Sequence, residues 1–528
     1  MNIYFVGMCI SFAVYIIIGL YVSRRVKSVE DYYVAGRRAP LVLIAGSMIA
    51  SYASTGLFMG DAATSYEGAF SSMVIFSTMQ TGGYIVGAIF FGRYIRRSRA
   101  LTVSEFFGKR FCSPAIKKLA AFTAIVTMIV YLLSVIQGIG TLMSSVTVLS
   151  YNTCLFISMI VFTMVTVIGG ASGVLITDTL MAGLFTAALI VSSIVIANNS
   201  GGWFNALHTL ASDSGTSQIL SWAGQPGALY DSGTMNVMWG IVYGVVWGSV
   251  CMVSPWQSSR YLMAKDEHTV IRSSFISAPG IFLLEFLACM AAVIVRIKNP
   301  SIEDSSRVLI WAAMNDMPQL LGIILLTGVL AAGISSATTF LSLAGASFAN
   351  DILCVRKDRA INTGRIIMII ISVIVFAIAV QNSPAIFWVM FFGGAIIAAS
   401  WMPVAFASIL SSRVTRAGAF AGMLAGFLGC FVVRLYTALN SITLPPYFDP
   451  ALIGMVLNFI AMIAVSYFTQ VTPEEKAARD ELFIIPDSEK NAHEIRKTLA
   501  MSKWSFMIGV FVTIFLLVFW VIPYITAK

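Results

Sequence analysis

The stretch GISSATTFLSLAG, residues 333–345, carries Ser335, Ser336, Thr338, Thr339 and Ser342 within an otherwise apolar run, 320–349. A helix repeats about every 3.6 residues, so Ser335, Thr338 or Thr339, and Ser342 share one face, with Ser336 beside them. Such a stripe offers neutral oxygens, the ligands a hard cation prefers. The same hydroxyls also act as ordinary glue, bonding back to carbonyls one turn earlier or across to a neighbouring helix. Two acids add charge. Asp178, in GGASGVLITDTLMAG, lies one turn inside its apolar run, and Glu285, in GIFLLEFLACM, lies in the middle of another. A carboxylate at the centre of a bilayer costs about 2.5–3.5 kcal/mol, so each needs a partner or a role. Asp178 enters from the inside face, roughly two turns in depth from Thr338 and Thr339, and contact between them needs help from helix tilt. Glu285 has no obvious partner: protonated, paired or facing water are all open to it.

These groups sit in a chain of 528 residues that is 58% hydrophobic and 11% charged; soluble chains carry about 25% charged residues. Apolar runs long enough to cross a bilayer recur throughout. Fourteen are predicted, at 3–22, 41–66, 70–94, 116–148, 153–169, 174–197, 235–259, 274–295, 320–349, 362–381, 384–410, 417–437, 450–469 and 504–524. They must be helices, which alone satisfy their own backbone groups in lipid. The first lacks the basic start and cleavage site of a signal peptide and is followed by Arg24 and Arg25, so it is read as a retained span. With the N-terminus outside, the C-terminus is outside too. The inside segments then hold 28 of the 33 Lys and Arg residues, and only Arg296, Lys298, Arg307, Arg434 and Lys528 lie outside. That is the positive-inside rule. It explains the net charge of +9 as topology rather than nucleic-acid binding, and runs such as RYIRRSRA (93–100) meet anionic lipid heads. The seven cysteines show no paired spacing, and His208, His268 and His493 are placed in loops, which argues against an intramembrane histidine relay.

The chain reads as one membrane domain over 1–528: a leading helix at 3–22, a first repeat at 41–197, an inverted second repeat at 235–410, and three accessory helices over 417–524. The outside loop 198–234 has room for a short lid helix. The inside loop 470–503 opens with Thr472, Pro473, Glu474 and Glu475, a helix start, and reads as a solvated surface helix. Two spans look broken. ASYASTGLFMGD (50–61) packs small and hydroxyl residues with two glycines into mid-membrane, and WGIVYGVVWGS (239–249) places Gly240, Gly244 and Gly248 in another. Matching interrupted spans in two halves point to a mid-membrane site, and a separation of five spans inverts the second copy. The three glycines have a rival reading as small-xxx-small packing. No nucleotide loop, metalloprotease or nucleophile-elbow motif is present, so an enzyme is not expected. A secondary transporter, a channel or a membrane-embedded sensor remains.

EDYYVAGRRAPLVLIAGSMIAS (30–51), LTVSEFFGKRF (101–111), GGASGVLITD (169–178), SPWQSSRYLMAKD (254–266) and LAAGISSATTFLSLAGASFANDI (330–352) resemble, in order, signatures of the sodium:solute symporter family. The resemblance covers roughly 5–440. It implies an all-α polytopic fold of the leucine-transporter type, a five-plus-five inverted repeat, with Na+ as the coupling ion. It implies a first sodium site of carbonyls from Ala50, Ala53 and Ala332 and hydroxyls from Ser335 and Ser336. A second site found in some members matches Asp178, Thr338 and Thr339. Substrate is expected near Ser51, Ser54, Thr55, Gly56, Gln80, Tyr243 and Trp247. Tyr52 stands where proline carriers have a functional aspartate, and Leu57 where a sugar carrier has a substrate-binding glutamine. The expectation is therefore sodium-coupled symport of a small polar organic solute, a carboxylate or amino-acid-like compound, by a carrier that works as a monomer in the plasma membrane. The alternatives are a solute sensor and a proton-coupled carrier of the same fold that uses Glu285.

Overall fold

The computed structural model describes residues 3–23, 28–381 and 386–527. Arg24, Arg25, Lys528 and the first two residues of the expected 384–410 span lie outside the described residues. All described secondary structure is helical apart from one bridge between Ala39 and Ala264. Twelve described helices are long and apolar enough to cross a membrane, beside two shorter apolar helices, Ile3–Ile18 and Leu41–Tyr52. The fourteen expected runs are therefore redistributed.

The chain leaves helix α1 (Leu41–Tyr52) at Ala53, whose ψ of 109° is extended. It re-enters helix at once in α2 (Gly56–Arg97). The expected 41–66 span is thus cut in two, and its second half continues into the expected 70–94 span across a bend at Gly68, φ 119°. Helix α3 (Pro114–Val146) starts on Ser113, whose hydroxyl caps the Ile116 N–H, with Pro114 at the first position. Helix α4 (Tyr151–Asn199) merges two expected spans across Gly170, φ 57° and ψ −170°. Only glycine holds that conformation easily, and a Cβ there would run into the Tyr32 ring.

Helix α5 (Gly233–Val253) corrects the reading of the second broken span. It runs unbroken through Gly240, Gly244 and Gly248, and the break comes at Ser254, ψ 148°, before helix α6 (Pro255–Met263). Proline lacks an N–H and pushes its predecessor out of helix, so Pro255 and not the glycines interrupts the span. The glycines let α5 lie against α2: a Cβ on Gly240 would stand 2.8 Å from the Ser72 carbonyl oxygen, and Gly248 faces the Gln80 Cα.

Helices α7 (Glu267–Val295) and α8 (Gln319–Ser347) complete the inner set; α8 packs on α3 and α4, and α7 on α1 and α2. Helix α9 (Ile386–Leu410) packs on α3 and α5. The 198–234 segment does contain a helix, Trp203–Ser212, tied to the last span by the Trp203 Nε1 bond to the Phe519 carbonyl, 2.9 Å.

The 470–503 segment forms short, mostly exposed surface helices as expected, and a few buried residues anchor it to the rest of the protein. Thr472 and Glu475 form the expected capping box at the start of helix α10 (Pro473–Glu481). Yet Glu475 is fully buried, and its backbone carbonyl accepts from Arg110, which also donates to the Ser408 carbonyl. Burial pushes the Arg110 guanidinium down to about 10, so it stays charged at neutral pH. Helix α11 (Ala492–Ser502) brings Thr498 against His268, 3.0 Å, and Arg272, 2.9 Å. His268 is thus buried in the first turn of α7, and His208 and His493 also lie on helices rather than in loops. Arg97, Arg110 and Arg272, counted in the sequence as topology signals, also clamp this strap.

Two adjacent glycines test the packing of α2 on α5. A Cβ on Gly83 would stand 2.9 Å from the Gly248 carbonyl carbon, whereas nothing lies within 4 Å of one on Gly82. Overpacking typically costs about 1–3 kcal/mol. Gly83→Ala should lower the thermal midpoint of the purified protein in detergent, and Gly82→Ala should leave it unchanged; equal midpoints would contradict the contact.

Candidate functional site

The interruption of α1 frees carbonyl oxygens in a part of the protein that water does not reach, which is tolerated only where protein or a bound group meets them. Ser54 Oγ accepts the Gly56 N–H, 3.0 Å, and so caps the restart of the helix. Thr55 is held between two glycines: a Cβ on Gly138 or on Gly333 would collide with its side chain. Gly333 thereby lets the hydroxyl stretch of α8 approach the break. Ser336 Oγ faces the Ala53 carbonyl oxygen at 3.5 Å. Ala50 and Ala332, each one turn from that junction, are fully buried. Thr338 turns back to its own helix and donates to the Ser335 carbonyl, 2.9 Å.

Asp178 has a partner that the sequence reading missed. Arg260 of α6 is 1% exposed and donates Nη2 to Asp178 Oδ2 at 2.7 Å and to Thr339 Oγ1 at 2.8 Å. Its Nε reaches Ser47 Oγ, 2.9 Å, and its Nη1 the Trp256 carbonyl, 2.8 Å. Asp178 also accepts from Ser47, 2.8 Å, and from Ser335, 2.7 Å. The expected two-turn gap in depth is closed in two ways: Ser335 reaches Asp178 directly, and Arg260 spans the distance to Thr339. Arg260 lies in SPWQSSRYLMAKD, where it was counted among the inside cations. The proline-initiated turn of α6 carries it into the protein, which charge counting does not register.

The residues expected at the substrate fall into two places. Ser51 donates to the Met48 carbonyl, 3.1 Å, and to Gln257 Oε1, 3.2 Å, while Gln257 donates to the Tyr84 hydroxyl, 2.7 Å. Ser54, Thr55 and Gly56 form the break itself, with Met390 of α9 lying over Gly56. Gln80 Nε2 donates to the Tyr52 hydroxyl, 2.5 Å. Trp247 is buried among Phe76, Tyr131 and Phe391, and its indole N–H has no partner among the described residues. Tyr243 faces elsewhere. It donates to Asp449, 2.6 Å, and lines a separate cavity of about 280 Å³ with Trp239 and Arg434.

Glu285 proves to be paired and shielded from solvent, at 1% exposure. It accepts the Tyr52 hydroxyl at 2.5 Å, has the Cys289 thiol at 3.7 Å and contacts the Asp61 carboxyl. The Tyr52 that departs from the proline-carrier pattern is therefore the partner that Glu285 lacked on paper. On the side of the 198–234 segment, a vestibule of about 580 Å³ runs down to Met59, Gly60 and Phe387, with Glu67, Asp304 and Arg307 among its lining residues.

Comparison with known proteins agrees with this architecture. The sequence profile of the sodium:solute symporter family matches residues 32–426. The chain is 26% identical to the sodium/proline symporter of Salmonella typhimurium strain LT2, over 85% of this chain and 92% of that protein. It is 21% identical to the sodium/pantothenate symporter of Escherichia coli strain K12, over 84% and 92%. Among solved structures it resembles a sodium-coupled sialic acid symporter in a substrate-bound outward-open state, with a TM-score of 0.74 at 15% identity, covering 90% of this chain and 99% of that one. A nucleobase-cation-symport-1 family transporter in a closed conformation aligns with a TM-score of 0.52 over 85% and 98%. These neighbours share the leucine-transporter fold. The interrupted helix, the buried hydroxyl face of α8 and the family profile lead to one conclusion: this chain is a multi-pass membrane protein of the sodium:solute symporter family, with sodium as its coupling ion.

Proposed function

We propose that this carrier takes up a small polar organic solute, one sodium ion at a time, by alternating access. The observation that supports the sodium site best is the approach of Ser336 Oγ to the Ala53 carbonyl across the break. In this reading Ala50, Ala53 and Ala332 offer carbonyls, and Ser335 and Ser336 offer hydroxyls, to the first sodium. The bond from Ser335 to Asp178 supports rather than opposes that role. A hydroxyl that donates its proton to a carboxylate keeps its lone pairs for a cation and is polarised toward it.

Asp178, Thr338 and Thr339 form the second tier. Arg260 already places a fixed positive charge against Asp178, and Thr338 is turned to its own helix. Both favour one sodium per solute. One sodium crossing ~100 mV contributes about 2.3 kcal/mol. A tenfold gradient adds about 1.4 kcal/mol, enough together for roughly 500-fold accumulation of a neutral solute.

The solute occupies the space between the break and Gln80 and Trp247, bounded by Ser51, Ser54, Thr55 and Gly56. The vestibule above Phe387 supports an approach from outside. Tyr243 lines the neighbouring cavity, which meets the vestibule at Trp388. The repeats run over 41–197 and 235–410, with a leading helix at 3–22 and accessory helices over 417–524. Both termini lie outside the plasma membrane, and one chain suffices for transport.

Purified protein in liposomes should accumulate solute only with an inward sodium gradient. Ser336→Ala should raise the sodium concentration for half-maximal uptake at least ~tenfold, with little change in the rate at saturating sodium, since one of about five ligands is lost. An unaltered sodium dependence would refute the assignment. Paired flux measurements should give a sodium:solute ratio of one; a ratio of two would place a second ion at Asp178 beside Arg260.

The buried pair gives a separate expectation. Removing one member leaves the other charge unpaired, a loss of about 3–5 kcal/mol. Asp178→Asn should therefore lower the thermal midpoint more than Asp178→Asn combined with Arg260→Gln. Additive losses would mean that the two side chains do not depend on each other.

A further inference from the structure

The Tyr52–Glu285–Asp61 cluster takes no part in the sodium chemistry above. The groups that face it come from every helix packed around it: Tyr52 of α1, Tyr84 of α2, Tyr131 of α3, Cys251 of α5 and Cys289 of α7. All are neutral donors, and among the described residues no Arg, Lys or His interacts with either carboxyl. Two carboxyls in contact away from water leave any charge they carry without a counterion from the protein. A net charge away from water is costly unless a cation meets it.

A second observation independently points to a ligand. Gln80 is fully buried, its amide nitrogen is committed to the Tyr52 hydroxyl, and its Oε1 has no donor among the described residues. Asp61 Oδ1, in a residue 3% exposed, also has none. Both orphans are acceptors. The cluster therefore lacks two things together, N–H donors and a positive charge. A metal cation brings charge without N–H, and a quaternary ammonium likewise. A protonated primary or secondary amine brings both.

We infer that Asp61, Glu285 and Gln80 form the recognition site for a protonated amine on the transported solute. The inference rests on the reading that the solute binds beside the break in α1, next to Gln80. The solute class is then an amine-bearing zwitterion or cation. A carboxylate without an amine does not qualify. The Tyr52 hydroxyl accepts from Gln80 and donates to Glu285, and so links the two side chains.

The test uses the full chain, purified in sodium buffer, with thermal shift as the readout. The probes are L-proline, L-alanine and γ-aminobutyrate, each beside its N-acetyl and fully N-methylated quaternary counterparts, with pantothenate and glucose added. Only free-amine members should stabilise the protein. Glu285→Gln and Asp61→Asn should each weaken that stabilisation at least ~tenfold, while the shift produced by sodium alone persists and shows that the variants are folded. Glu285→Asp should restore part of the response. Stabilisation by N-acetyl, quaternary or amine-free compounds but by no amine overturns the proposal. So does a panel in which no amine shifts the protein, or an undiminished amine preference in both variants, whatever they do to the pH dependence of uptake. Sodium-independent uptake of an amine would defeat the coupling reading and leave this one standing.

Discussion

The interruption of α1 at Ala53 is the constraint around which the rest of the protein is arranged. A helix in lipid consumes its own hydrogen-bonding groups, and a break returns some of them to a medium with no water to accept them. The return is stable only if protein closes over the break. Gly138 and Gly333 bring α3 and α8 onto Thr55, Ser54 caps the restart, and Ser336 comes to the Ala53 carbonyl. What these neighbours leave unsatisfied is oxygen lone pairs, and that suits a hard cation of modest affinity. Neutral ligands hold such an ion loosely enough to let it go again.

Charge is handled in the opposite way. The full charges buried in the core are either neutralised within the protein or crowded together. Asp178 and Arg260 satisfy each other, with Ser47, Ser335 and Thr339 completing the network. A buried pair of this kind adds little net stability, because desolvation offsets the attraction, but it fixes geometry. It ties α1, α4, α6 and α8 together beside the break in α1. Asp61 and Glu285, by contrast, meet neutral groups, the Tyr52 hydroxyl and the Cys289 thiol, among the described residues.

The same economy of contacts appears in the strap formed by α10 and α11. Arg97, Arg110 and Arg272 reach backbone carbonyls and acids of the strap, and Arg97 also pairs with Glu267 of α7. The strap therefore connects helices from both halves of the inner set. Read alone, its acids have no visible partner; Glu489 and Glu494 meet Arg96, Arg272 and the Glu267 N–H more than two hundred residues away, and Glu475 meets Arg416.

Much of this was legible in the order of residues alone. Apolar run length and the distribution of Lys and Arg establish a polytopic helical protein, since both follow from the thickness and charge preference of a bilayer. The clustering of small and hydroxyl residues in 50–61 and 333–345 marks the break and the oxygen-rich face, because local composition controls both. Direction was not legible. Gly240, Gly244 and Gly248 are the same residues whether they break a helix or let another pass close to it, and only the position of α2 decides for packing. Arg260 and Glu285 were visible as charges, yet their roles depend on partners at 178 and 52, brought together by the fold. A sequence determines what each side chain can donate, accept or carry. Which donor meets which acceptor is a matter of distance, and only the tertiary structure sets that.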